Sequence, residues 1–171
     1  VSYPKRLMDN PAFIHYPGWK DVHYGEGLFV GYRYYDAKDV APLFPFGHGL
    51  SYTQFAFSEL LVPEEVHPGE EFTVGVTVEN TADTAGQEVV QLYIRDVAST
   101  LIRPVKELKG FEKVSLEPGE SKAIAFKLNP RALSYYDPHQ QAWVAEAGAF
   151  EVLVGSSSRD LRLQGSFDLV E

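Results

Sequence analysis

Carboxyl side chains recur in close pairs along the sequence, at Asp36/Asp39, Glu64/Glu65, Glu70/Glu71 and Glu117/Glu120. Paired carboxyl groups can carry general acid–base and covalent catalysis, provided one of the two sits where its pKa is raised. All but the first pair lie at turn signals, where acidic groups are solvated, and none has an apolar setting. No catalytic pair is therefore assigned. The five histidines, His15, His23, His48, His67 and His139, lack metal-ligand spacing of the HExxH kind. Ser156-Ser157-Ser158 lacks the small-x-Ser-x-Gly elbow that exposes a nucleophile. Gly25-x-Gly27-x-x-x-Gly31 misses the dinucleotide spacing and follows no expected strand. With no cysteine there is no disulfide frame and no thiolate metal site, and the compartment is left open. Neither a cofactor nor a metal is expected.

The elements that would position any such residues follow from composition. The chain has 171 residues, 44% hydrophobic and 23% charged, within the range of globular domains. A net charge of −9 speaks against nucleic acid as a partner, because phosphate binding needs a basic face. No apolar run approaches the length of a membrane span, so no membrane partner is expected. The chain opens Val1-Ser2-Tyr3-Pro4 without initiator Met, basic region or apolar region, as expected of a piece processed or cut from a longer parent.

Two unequal parts are visible. From Phe13 to Phe57, 13 of 45 residues are aromatic, against 10 in the remaining 126. Residues 58–171 hold 10 basic and 19 acidic side chains, so the whole net charge sits there. In that part Phe72, Val74, Val76 and Val78 alternate with polar residues, the period-2 sign of a strand with one buried face. Val90, Leu92 and Ile94 alternate with Gln91, Tyr93 and Arg95; Ile124, Phe126 and Leu128, then Phe150, Val152 and Val154, repeat the pattern. Turn signals such as His67-Pro68-Gly69 and Glu117-Pro118-Gly119 separate these runs. Further strands are expected near 51–62, 106–116, 141–146 and 161–170. The spacing predicts an all-β, antiparallel two-sheet sandwich of the immunoglobulin or fibronectin type III kind. One short helix is expected at Asn129-Pro130-Arg131-Ala132-Leu133, with Asn at N-cap and Pro at the first helical position. Residues 1–45 show no sustained periodicity and many Pro and Gly, yet rings at this density need a surface. They are expected to form an extended arm that packs on something.

The run Tyr24-Gly25-Glu26-Gly27-Leu28-Phe29-Val30-Gly31-Tyr32-Arg33-Tyr34-Tyr35-Asp36 resembles the C-terminal region of glycoside hydrolase family 3 β-glucosidases. So does Pro42-Leu43-Phe44-Pro45-Phe46-Gly47-His48-Gly49-Leu50-Ser51-Tyr52-Thr53. The likeness continues, collinear, through Gln91–Asp96, Arg103–Phe111, Glu117–Ser121 and Gly148–Ser157. The resemblance implies a parent with a TIM-like barrel, an α/β sandwich domain and a fibronectin type III-like domain. Residues 1–45 would be the connector leaving the α/β domain, and residues 46–171 the fibronectin type III-like domain. The family's nucleophilic Asp and acid/base Glu would lie in upstream domains, before Val1, and no position here matches either motif. Retaining hydrolysis needs two carboxyl groups about 5–5.5 Å apart, so the chain alone is expected to be a non-catalytic accessory domain. It would brace the upstream catalytic domains and shape the substrate entrance. An autonomous module binding polysaccharide or oligosaccharide, and an adhesion or oligomerisation sandwich, are the alternatives.

The candidate interdomain or sugar-contact residues are Tyr24, Glu26, Phe29, Tyr32, Arg33, Tyr34, Tyr35, Phe46, His48, Leu101, Ile102 and Arg103. Alternation is expected to send Tyr32 and Tyr34 to one side and Arg33 and Tyr35 to the other. Arg33 is expected to stack on a ring or pair with Glu26 or Asp36. His48, between Gly47 and Gly49, reads as a junction residue. Leu101-Ile102-Arg103-Pro104 marks a long connection between sheets, or a loop projecting onto neighbouring domains.

Overall fold

A computed structural model describes all residues, Val1–Glu171. The arm begins with two 3₁₀ turns, Leu7–Asp9 and Pro11–Ile14, followed by the helix α1 (Tyr32–Ala37). Ten strands follow: β1 (Phe55–Leu61), β2 (Glu65–Val66), β3 (Phe72–Asn80), β4 (Gly86–Asp96), β5 (Glu107–Leu116), β6 (Ser121–Leu128), β7 (Tyr135–Asp137), β8 (Ala142–Val144), β9 (Gly148–Gly155) and β10 (Leu161–Leu169). One sheet has the order β1-β3-β6 and the other β2-β10-β9-β4-β5, with β7-β8 a separate ribbon. The short edge strand β2 pairs parallel to β10; every other pairing is antiparallel.

Alternation produces the core directly. Phe72, Val74, Val76 and Val78 of β3, and Ile124, Phe126 and Leu128 of β6, face Val90, Leu92 and Ile94 of β4 and Phe150, Val152 and Val154 of β9. These side chains are buried, each contributing about 1.5–3 kcal/mol by leaving water. Residues 130–133 turn as expected, but as one 3₁₀ turn, and Asn129 makes no side-chain cap.

Two expectations are corrected. Residues 97–106 join β4 to β5, neighbours in the same sheet, and so do not cross between sheets. The strand β4 is not one-faced, because Gln91 and Tyr93 are as buried as the core residues between them. The arm covers the outer face of β4, and a neighbour so distant in sequence leaves no trace in local periodicity.

A polar knot ties the start of the sandwich together. Asn80, fully buried, accepts from Thr53 Oγ1 (2.5 Å) and from the amide of Ala82 (3.2 Å). It donates to the carbonyls of Thr84 (2.8 Å) and Leu116 (3.1 Å). Every polar atom of its side chain has a partner, which is the condition for burying an amide.

Candidate functional site: the docked arm and its outer face

The helix α1 decides how the arm docks. Helical geometry puts residues i, i+3 and i+4 on one face, so Tyr32, Tyr35 and Asp36 point together. The strand-like alternation expected over 32–35 is overturned: Tyr32 and Tyr34 do not share a side. Gly31, at φ +61°, starts the helix without a side-chain cap, leaving no N-cap signal to read.

On the inner side, Tyr32 meets Tyr93 edge-to-face at 5.7 Å and Phe46 at 5.5 Å. Its hydroxyl accepts from the Leu108 amide at 2.9 Å. Asp36, with a side chain 5% exposed, forms ion pairs with Lys106, itself 6% exposed, and with Arg159 at 3.0 Å. Arg159 also donates to the carbonyls of Tyr35 (3.0 Å) and Val40 (3.3 Å), and Lys106 lies over the Tyr93 ring. Tyr93 donates to Gln91 Oε1, and Gln91 donates to the Ser156 carbonyl at 2.8 Å. Burial pushes the Tyr93 phenol far up, so it stays a donor. At the junction Gly47, at φ +86°, passes so close that a Cβ there would sit 2.1 Å from Gln91 Nε2. The Phe46 carbonyl accepts from the Ser158 amide at 2.9 Å.

Arg33 pairs with neither Glu26 nor Asp36. It reaches Glu107 at 3.5 Å and lies 6.0 Å over the Tyr32 ring, because the helical turn carries it along the sheet while Asp36 is taken by two other cations. Glu107 also receives Arg103 (2.8 Å) and Lys109 (3.4 Å). Burial alone would raise its pKa, but Arg103, Lys109 and Arg33 outweigh that and hold it below the ordinary range. Burial pushes Lys109 down, against the pull of Glu107.

Arg103 holds the 97–106 loop. Its guanidinium takes Asp96 (2.9 Å), Glu107 and the Leu133 carbonyl (3.3 Å), and packs over the Tyr135 ring at 5.3 Å. Leu101 is half-buried, while Ile102 stands 84% exposed at the tip. Ile102, Phe29, Tyr34, Met8 and Ile14 line a groove of about 580 Å³, with Glu26 also on its wall. His48 stacks on Phe44 at 5.2 Å, and Tyr24 is 90% exposed. The sequence candidates thus divide. Tyr32, Arg33, Tyr35, Phe46 and Arg103 hold the arm and loop in place, whereas Tyr24, Phe29, Tyr34 and Ile102 lie on or beside the outer face. Lys106, Arg159, Gln91 and Asn80 escaped the sequence reading; each owes its role to a partner distant in sequence.

One pair of carboxyl groups departs from ordinary behaviour within a shared hollow. Glu88 and Asp160 line a cleft of about 1110 Å³. Burial raises Glu88, whereas the Arg162 and Ser156 hydrogen bonds lower Asp160. Asp160 accepts from Arg162 at 2.7 Å and Ser156 at 2.6 Å on the same oxygen, and its side chain is half-exposed. A carboxylate so engaged is a poor nucleophile. The other clustered acids, Asp36, Asp96 and Glu107, are neutralised by cations.

An outward surplus is the most telling property. Sixteen of the twenty-three well-exposed large hydrophobic side chains lie in residues 1–52. The accessible surface is 10673 Å², against about 8,400 Å² expected of a folded monomer of this mass. The excess of roughly 2,000 Å² is comparable to a large protein–protein interface.

The fold is a two-sheet β-sandwich, and residues 88–158 match the fibronectin type III-like domain family. Over nearly its whole length the chain matches the C-terminal, fibronectin type III-like region of glycoside hydrolase family 3 β-glucosidases. It is 51% identical over 167 residues to the thermostable β-glucosidase B of Acetivibrio thermocellus, covering 96% of this chain and 22% of that protein. The solved family 3 β-glucosidase of Bifidobacterium adolescentis superposes with a TM-score of 0.92 at 43% identity, covering 98% of this chain and 25% of that one. β-Glucosidase 3B of Thermotoga neapolitana, solved with α-D-glucose, gives 0.92 at 40% identity, over 100% of this chain and 24% of that one. The chain therefore spans about a fifth to a quarter of the length of these relatives.

Proposed function

We propose that this chain is a non-catalytic accessory region of a longer retaining β-glucosidase, which hydrolyses terminal β-D-glucosyl residues. Residues 1–45 act as the connector from an upstream α/β domain, and residues 46–171 as the fibronectin type III-like domain. The arm's inner side locks onto the sandwich; its outer apolar side and the Ile102 loop brace the catalytic domains and shape the approach to their pocket. The observation that carries this reading is the uncovered apolar surface gathered on the arm and the adjoining loop. A solvent-facing module would not sustain so large a patch. No clustered carboxyl pair here is free of cations and shielded from water, so the bond-breaking acids belong to the rest of the parent. Incubation of the chain with an aryl β-glucoside tests the assignment: release of the phenol at the denatured-control rate is expected, and turnover above it overturns the reading. The same assay on Glu88→Gln separates any activity of the Glu88/Asp160 cleft from contamination.

A further inference from the structure

Six of the seven arginines pair with a carboxylate: Arg6, Arg33, Arg95, Arg103, Arg159 and Arg162. Arg131 does not. Its guanidinium instead lies over the ring of Trp143, 3.9 Å from the centroid, with no side-chain hydrogen bond in the chain. Trp143 is the direct cross-strand partner of Tyr136 on the β7–β8 ribbon, the rings meeting edge-to-face at 5.8 Å. Tyr136 is 50% and Trp143 53% exposed, and no other large hydrophobic side chain in residues 112–171 is exposed to that degree.

The ribbon is stiffly held. Asp137, at its turn, accepts from the amides of His139 (2.8 Å) and Gln140 (3.4 Å) and from Gln140 Nε2 (2.9 Å), which hold its carboxyl below the ordinary range. Tyr135, the residue before Tyr136, donates to Glu146 at 2.7 Å. Two half-exposed rings are thus presented beside a planar fork of unclaimed N–H donors. That is the complement of a pyranose: an apolar C–H face for the rings and vicinal hydroxyls for the guanidinium. The excess of acidic groups in residues 58–171 opposes an anionic ligand.

We propose that Tyr136, Trp143 and Arg131 form a stacking platform for a neutral β-linked gluco-oligosaccharide. This goes beyond the bracing role and stands or falls separately from it. The chain has two tryptophans, Trp19 and Trp143, so Trp19→Phe leaves Trp143 as sole reporter. Titration of that variant with cellotetraose is expected to give a saturable change in emission. Arg131→Ala and Tyr136→Ala in the same background should each weaken binding about tenfold while the urea midpoint holds. Arg131→Lys, which keeps the charge but loses the fork, should also weaken it. No saturable change with cellotetraose, response to oligogalacturonate alone, or unaltered affinity in folded Arg131→Ala overturns the proposal.

Discussion

Replacing Asp36 with Asn removes the one negative charge shared by Lys106 and Arg159 without changing side-chain volume. Both Asp36 and Lys106 are almost fully buried, so the substitution strands an ammonium beneath the arm. Losing one partner of a buried pair costs about 3–5 kcal/mol. The lower half of that range is expected here, because Arg159 is a third exposed and keeps its bonds to the Tyr35 and Val40 carbonyls. Urea unfolding reads the loss: with a slope of about 2–3 kcal/mol per molar, the midpoint should fall by roughly 1–2 M. Arg6–Asp9 supplies the internal control, since Arg6 is largely exposed and such surface pairs contribute at most about 1 kcal/mol. The double variant Asp36→Leu/Lys106→Met removes both charges and should recover much of the deficit. A midpoint for Asp36→Asn no lower than that of Asp9→Asn would refute the claim that this ion pair latches the arm.

Other consequences follow from the same contacts. Asn80→Ala leaves the buried Leu116 carbonyl and Thr53 hydroxyl unpartnered, and should lower stability by roughly 2–4 kcal/mol in a urea titration. Gly47→Ala forces a Cβ into Gln91 at a positive φ, costing about 1–3 kcal/mol, with faster proteolytic cleavage of the arm as the second readout. The Tyr135 phenol, raised to about 12 by its hydrogen bond to Glu146, should contribute stability that is intact below pH 10 and lost between about 10 and 12. Tyr135→Phe should abolish that alkaline slope in thermal unfolding. Glu107, held low by its cations, contributes stability present above its unfolded pKa and lost as pH falls below it; Glu107→Gln should flatten the acid limb.

Strands were legible because the alternation is local. Phe72, Val74, Val76 and Val78 mark β3 to within two residues of its end, and turn residues mark the gaps. The arm's helix was not legible: Tyr32-Arg33-Tyr34-Tyr35 has no capping side chain and no helical stripe, so its rings read equally well as a strand. Gln91, Tyr93 and Lys106 sit where an exposed face or loop is expected, and only the folded arm explains their burial. The candidate residues Tyr32, Arg33 and Arg103 were identified from type and setting. Their partners Tyr93, Glu107 and Asp96 come from the pairing of β4 with β5 and from docking of the arm. Arg131 carried no sequence signal, since what distinguishes it is the lack of a carboxylate that every other arginine has found.

Grafting gives the most direct trial of the accessory role. This chain would replace the 167 matched residues of the Acetivibrio thermocellus enzyme, beside a version with that stretch deleted. The graft is expected to fold and cleave aryl β-glucosides, the deletion to aggregate or lose most activity, and the chain alone to cleave nothing. A deletion as active and heat-resistant as the graft, or phenol release by the chain alone, would contradict it.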